Sequence, residues 1–220
     1  MFKGLKILGL AAAAAILTSA TAMAAPVIDF QTGLAGEGGQ ISWNGTNLSG
    51  SGIVIGAVTV TGAPQGNGVY TVSGQATGSG GAGFGSLSFN TDPNNNFISI
   101  QGCIAQLGIG TGPGGTCAAP VVLLSGSIWG YDASQSANGL TNAFGQDTKN
   151  AQLLTALGLS PTTPFQFFGF SVATSGLNAN GTPGTVISTD IRNTAVPEPA
   201  TMMLLGTGLL AAFRARRRSA

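Results

Sequence analysis

GIVIGAVTVT spans Gly52 to Thr61. Ile53, Val54 and Ile55 are consecutive β-branched residues, stiff at χ1 and suited to an extended backbone. They make both faces apolar, as in a central strand flanked by other strands. One strand is expected from Gly52 to Thr61.

Working outward, similar runs recur at short spacing. Strands are expected at Val27–Phe30, Gln40–Trp43, Gly68–Ser73, Gly85–Asn90, Phe97–Gln101, Pro120–Ser125, Phe165–Ala173 and Thr185–Ile191. In GSLSFN, Leu87 and Phe89 share one face while Ser86 and Ser88 take the other. Turn chemistry separates the runs: Pro64-Gln65-Gly66-Asn67-Gly68, the glycine-rich stretch from Gly78, and Asp92-Pro93-Asn94-Asn95-Asn96. A single short helix is expected after Asp147, which is read as its N-cap. Leu153, Leu154 and Leu157 would share its buried face, Gly158 would close it, and Pro161 forbids continuation. The pattern predicts an antiparallel β-sandwich with one short helix across an end. No repeat of solenoid length supports a β-helix.

Composition agrees with a folded β domain. Of 220 residues 43% are hydrophobic, too many for a disordered chain, although 36 are glycine and only 7% are charged. The formal net charge of +1 hides an asymmetry. Between Ala25 and Ala195 two basic residues, Lys149 and Arg192, face six acidic ones, leaving that span at −4. It has no basic patch for phosphates, so no nucleic-acid partner is expected.

The basic residues gather at the two ends. Lys3 and Lys6 precede the short apolar run Ile7–Leu17, and Ala22-Met23-Ala24 ends in a small-residue site before Ala25. These are the three regions of a secretory signal peptide, a helix cut after Ala24 by signal peptidase once the general secretion machinery exports the chain. Export favours oxidised cysteine, so Cys103 and Cys117 are expected to form a disulfide. It would close a glycine-rich loop of about 15 residues, worth on the order of 3 kcal/mol.

Much catalytic chemistry is missing. The chain has no histidine, which removes Ser-His-Asp and Cys-His catalysis and the commonest zinc ligand. The glycine-rich stretches lack the G-K-[ST] ending of a phosphate loop. Asp92-x-Asn94-x-Asn96 opens like a calcium loop, but Phe97 stands where glycine is required and Cys103 where the closing Glu belongs. An Asx-rich hairpin turn is the better account. Asp132 and Asp147 could be paired carboxylates of a glycosidase, though nothing in the sequence brings them together. No cofactor, metal or catalytic residue is expected.

The aromatic residues leave two readings open. Trp129 and Tyr131, in WGYD after a strand, could stack on sugar rings, as could Trp43 and Tyr70. Alternatively both tryptophans pack in the core. Asn44, Asn47 and Asn180 begin glycosylation-type sequons, which carry no meaning if the source is bacterial.

The last residues, VPEPATMMLLGTGLLAAFRARRRSA from Val196, form a unit. Pro197, Glu198 and Pro199 make a rigid acidic tripeptide. Ala200–Phe213 is apolar, with Leu204, Leu205, Leu209 and Leu210 along it. As a helix of 14 residues it would span about 21 Å, short of the roughly 30 Å hydrocarbon core. Arg214, Arg216, Arg217 and Arg218 could snorkel to the headgroups and hold the C-terminus in the cytoplasm. The signal peptide requires the same orientation.

This order of elements resembles the PEP-CTERM sorting signal, whose tail is also labelled an ice-binding protein C-terminal domain. The resemblance implies a bacterial exported protein recognised by an exosortase, a transpeptidase-like membrane enzyme acting near Pro197-Glu198-Pro199. Ala200–Phe213 would be the transient membrane segment and the arginines a stop signal. It also implies association with exopolysaccharide and biofilm. SWNGTNLSGSGIVIGAVTV, LSFNTDPNNNFISI, FQFFGFSV and VISTDIRNTAVPEP resemble β-sandwich members of the same group. The expected organisation is a signal peptide over 1–24, an ectodomain over 25–192 and a sorting and anchor segment over 193–220. The expected role is a non-enzymatic surface or matrix protein, reached through a membrane-anchored precursor. The alternatives are a glycan-binding adhesin using Trp129 and Tyr131, and an ice-binding protein suggested by the tail's second label and by Thr59-Val60-Thr61.

Overall fold

A computed structural model describes residues 25–78, 81–132, 140–178, 182–195 and 206–209. The fold is mainly β and antiparallel, as expected, with twelve strands among the described residues. They are β1 (Val27–Gln31), β2 (Gln40–Trp43), β3 (Leu48–Ile55), β4 (Ala57–Thr61), β5 (Gly68–Thr71), β6 (Ser73–Gly78), β7 (Gly81–Asn90), β8 (Phe97–Gly102), β9 (Val121–Tyr131), β10 (Leu140–Lys149), β11 (Phe165–Ser175) and β12 (Gly184–Ala195).

The opening stretch is two strands, not one. Gly56 breaks it: a Cβ there would run into the Thr32 carbonyl and the Ala35 methyl. Its N–H donates to Gln31 O and its C=O accepts from Val72 N, each at 3.0 Å. Before the break, Ile53 and Ile55 enter the main core while Val54 packs outside it with Ala35, Ala76 and Phe84. Both faces are therefore covered, as the apolar triplet requires. After the break, β4 pairs with β1 and β5 rather than with the neighbours of β3. The run expected over Gly68–Ser73 divides in the same way, into β5 and the start of β6.

The expected sandwich is replaced by a closed, barrel-like sheet. The path β11-β10-β9-β8-β7-β3-β2-β12 returns to its start because β12 also pairs with β11, from Phe165↔Ala195 to Ser175↔Thr185. Closure removes the edges a sandwich would leave. The interior is filled: Phe89 of β7 and Phe170 of β11, on opposite sides of the ring, meet edge to face at 5.0 Å. The free side of β12 is divided. Gly184 and Thr185 pair with β2, while Asp190–Thr194 pair with β1, which carries β4 and β5 away as a wing.

The helix α1 (Ala151–Ala156) forms where leucine spacing predicts it, with Leu153, Leu154 and Leu157 fully buried. Its N-cap is Asn150, not Asp147. The Asn150 side chain accepts from Gln152 N and Leu153 N, and Asp147 lies inside β10, a strand the sequence pattern did not reveal. Gly158 takes φ 71° just past the helix, as a closing glycine should.

Antiparallel register fixes the two ends of the barrel. Val27 sits against Thr194, so β1 begins and β12 ends at one end of the barrel, here called the tail side. There α1 docks on the β4–β5 turn through Gln65 N to Leu157 O, 3.1 Å. The far end carries the β2–β3 and β7–β8 connections, the end of β9 and the start of β10. Strand β12 runs to Ala195.

Candidate functional site

At the far end, asparagines build the rim. Asn44 Oδ1 accepts from Thr46 N and Asn47 N at 3.0 and 2.7 Å, shaping the β2–β3 turn. Asp92 Oδ1 accepts from Asn94 N at 2.9 Å, and Asp92 N donates to Asn90 Oδ1 at 2.8 Å. The Asp92–Asn96 segment is thus a self-satisfied Asx turn. Among the described residues no group of three or more His, Cys, Asp or Glu could hold a metal.

Asn96 does something the sequence did not reveal. Its side chain reaches to β9, accepting from Ile128 N at 2.7 Å and donating to Ile128 O at 2.6 Å. It takes the place of a strand partner beside the bulge, where Gly145 pairs with Ile128 and Phe144 with Gly130. The extra residue in that bulge is Trp129, and it stands 57% exposed. Phe144, also exposed, lays its ring over Gly130, where an added Cβ would meet it at 2.7 Å.

The other aromatics are held down. Tyr131 is half-buried against the core and its hydroxyl donates to Thr46 O, tying β9 to the β2–β3 turn. Tyr70 donates to Gly66 O at 2.7 Å on the tail side. Trp43 is half-buried, its Nε1 enclosed without a partner. It lines a shallow cavity of about 320 Å³ with Ser42, Asn44, Asn47, Asn90 and Asp92. Of the two readings of the tryptophans, core packing applies in part to Trp43 and not to Trp129.

The carboxylate pair does not form. Asp132 N bonds Asn142 O, five residues along β10 from Asp147, about 16 Å at strand spacing. A glycosidase needs its two carboxyls within about 10 Å.

On the tail side the barrel interior holds polar groups. Alternation along β10 turns Ala143, Gly145, Asp147 and Lys149 inward. Gly126 of β9 gives Asp147 its room, since a Cβ there would lie 2.8 Å from Asp147 Cβ. Lys149 Nζ donates to Asp147 Oδ1, donates to Asn193 Oδ1 at 3.0 Å, and lies 5.0 Å from the centre of the Phe165 ring. Asp147, Lys149 and Asn193 are 4%, 2% and 0% exposed. Burial pushes the lysine down to about 8, against the attraction of Asp147. Burial likewise raises Asp147, with Lys149 opposing.

A second group lies on the outer face of β1 and β12. Asp29 is raised to about 7 by burial, by a hydrogen bond to Asp190 and by its charge, while Arg192 opposes. Thr59, on the neighbouring strand, accepts from Gln31 Nε2 at 2.9 Å, and Thr61 is exposed at the end of β4.

Cys103 and Cys117 form the expected disulfide. Ala25 is exposed ahead of β1, and Leu209 belongs to a helical turn over 206–209. Ala22, Ala24, Pro197, Glu198, Pro199, Ala200, Leu204, Leu205, Leu210, Phe213 and the four terminal arginines lie outside the described residues. Among the described residues no helix is long and apolar enough to cross a membrane.

Residues 195–218 match the PEP-CTERM protein-sorting motif. No curated protein and no solved structure matches the chain. The motif marks an exported protein whose membrane-anchored precursor is sorted by an exosortase, itself a membrane enzyme.

Proposed function

We propose that the chain is a non-enzymatic protein of the bacterial surface or extracellular matrix, associated with exopolysaccharide, and that the far end of its barrel contacts glycan. The observation that carries this reading is polarity along the barrel. The sorting motif begins at Ala195 on the tail side, whereas exposed Trp129 stands at the opposite end. A domain held through its C-terminus presents that far end outward. Trp129 offers a flat apolar face to a pyranose ring, and at the same end of the barrel the side chains of Ser42, Asn44, Asn47 and Asp92 line a polar groove. Tyr131 acts by holding the β2–β3 turn in place, not by stacking. The low charge of the domain suits a neutral sugar polymer.

The test is co-sedimentation of the mature protein with host exopolysaccharide, against Trp129→Ala. Enrichment of the wild type that falls about tenfold or more in the variant supports the reading, since stacking is worth on the order of 1–3 kcal/mol. Equal recovery of the two proteins removes Trp129 from it. Intact mass of the surface-recovered protein tests the sorting step: a chain from Ala25 ending near Pro197–Pro199 is expected, and one ending at Ala220 counts against cleavage.

A further inference from the structure

Lysine, aspartate and asparagine meet inside the barrel in an arrangement that structural need does not explain. A buried ion pair costs desolvation that its own attraction seldom repays. Here the lysine nitrogen also touches a carboxamide, on the last strand of the barrel. Asn193 Nδ2 is held by Ile191 O at 3.0 Å, which turns Oδ1 towards Lys149. Asp147 keeps one oxygen, Oδ2, buried with no partner.

We propose that Lys149 and Asn193 become joined by an intramolecular isopeptide bond, formed by the protein itself with Asp147 as the acid–base group. The bond would link Lys149 Nζ to Asn193 Cγ, the carbon bonded to the oxygen now 3.0 Å from Nζ. The buried site holds the two reactants at contact distance, which replaces a bimolecular encounter by an intramolecular one.

The atoms balance without any added reagent. Transfer of a proton from Nζ to the Asp147 carboxylate gives an amine and a carboxylic acid. Burial favours this neutral pair, lowering the lysine and raising the aspartate. The Nζ lone pair then adds to Asn193 Cγ and the N–C bond forms. Asp147 takes a proton from the attacking nitrogen and gives one to Nδ2. The Cγ–Nδ2 bond breaks and ammonia leaves. Asp147 returns to the carboxylate it began as by giving the proton first taken from Nζ to the departing ammonia, which leaves as ammonium, and nothing is oxidised or reduced. The Phe165 ring beside Nζ helps keep the group out of water.

The position gives the bond a use. Lys149 ends β10, and Asn193 lies in β12, across the intervening β11. Two residues after Asn193 the sorting motif begins. A covalent link there ties the strand leading to the tail into the barrel wall, so pulling on the C-terminus cannot peel β12 away before that bond is strained.

The experiment is mass spectrometry of the full-length folded protein, denatured and reduced, then digested with a protease that does not cut at lysine. The expected result is a loss of one ammonia, about 17 Da, and a branched peptide joining Lys149 to Asn193. In Asp147→Asn, which keeps shape and both reactants, the branched peptide should be absent. Wild-type protein with an unmodified Lys149 and full mass overturns the proposal. So does the same mass loss mapped to an Asn-Gly pair such as Asn67-Gly68, where a cyclic imide would account for it. The wild-type measurement decides the matter even if a variant fails to fold.

Discussion

At the tail side of the barrel the polar side chains turn inward and the greasy ones cover them. At the far end an aromatic side chain turns outward over a rim of asparagines. Lys149, Asp147 and Asn193 are almost wholly enclosed, with α1 packed close by. Trp129 is largely in water. Both placements run against the usual sorting of residues by hydrophobicity, in which lysine and aspartate stay out and tryptophan goes in. Each therefore carries a cost in stability and calls for a purpose. The comparison predicts that substitutions on the tail side change stability, while those at the far end change binding.

The largest effect is expected from Lys149→Met. It leaves Asp147 buried beside an apolar chain and should lower stability by about 3–5 kcal/mol, read as a fall in the urea midpoint. Making Asp147→Leu as well removes the orphaned carboxyl and should recover that part of the loss, while the part that belongs to the missing Lys149–Asn193 bond should stay. At the far end the larger effect is expected from Asn96→Ala. It strips both partners from the backbone of buried Ile128, costing about 1–3 kcal/mol, and frees the bulge that presents Trp129. Glycan recovery should fall with it, so here stability and binding move together.

A smaller, pH-dependent effect belongs to Asp29. Its folded carboxyl titrates near 7, above the ordinary aspartate value, so it stabilises the fold fully only below about pH 4. That contribution is lost as pH rises through 7. Stability should therefore decline from pH 5 to pH 8, and Asp29→Asn should flatten the slope. Solvent screening at this half-exposed site keeps the change to about 1 kcal/mol. A slope unchanged in the variant would assign the effect to another group. The smallest change is expected from Trp129→Ala, whose melting should stay within about 0.5 kcal/mol of wild type. A large loss would mean that the ring is packed rather than presented.

How far these regions were legible follows from their chemistry. The strands rich in Ile, Val and Phe declared themselves by period, and α1 by its leucines and closing glycine. β10 did not, because its inward positions are Ala143, Gly145, Asp147 and Lys149, which carry almost no apolar signal. Missing β10 misassigned Asp147 as a helix cap and hid its partner Lys149. The single strand expected over Gly52–Thr61 failed at Gly56 for a reason no local pattern holds: another segment crosses there at backbone distance. Trp129 was singled out by its neighbours, but its exposure depends on a bulge braced by Asn96 from another hairpin.

By itself the sequence determined the address of this protein and its material. The tail motif, the cysteine count, the β composition and the absence of histidine are properties of short stretches or of counts, and need no partner in space. Tertiary structure alone decided that the sheet closes on itself, that the start of β1 and the end of β12 share one side, and that Lys149 meets Asn193. The physical reason is pairing register. Which strands become neighbours depends on long-range contacts between segments up to a whole domain apart, as when β1 finds β12, and no local periodicity encodes that choice.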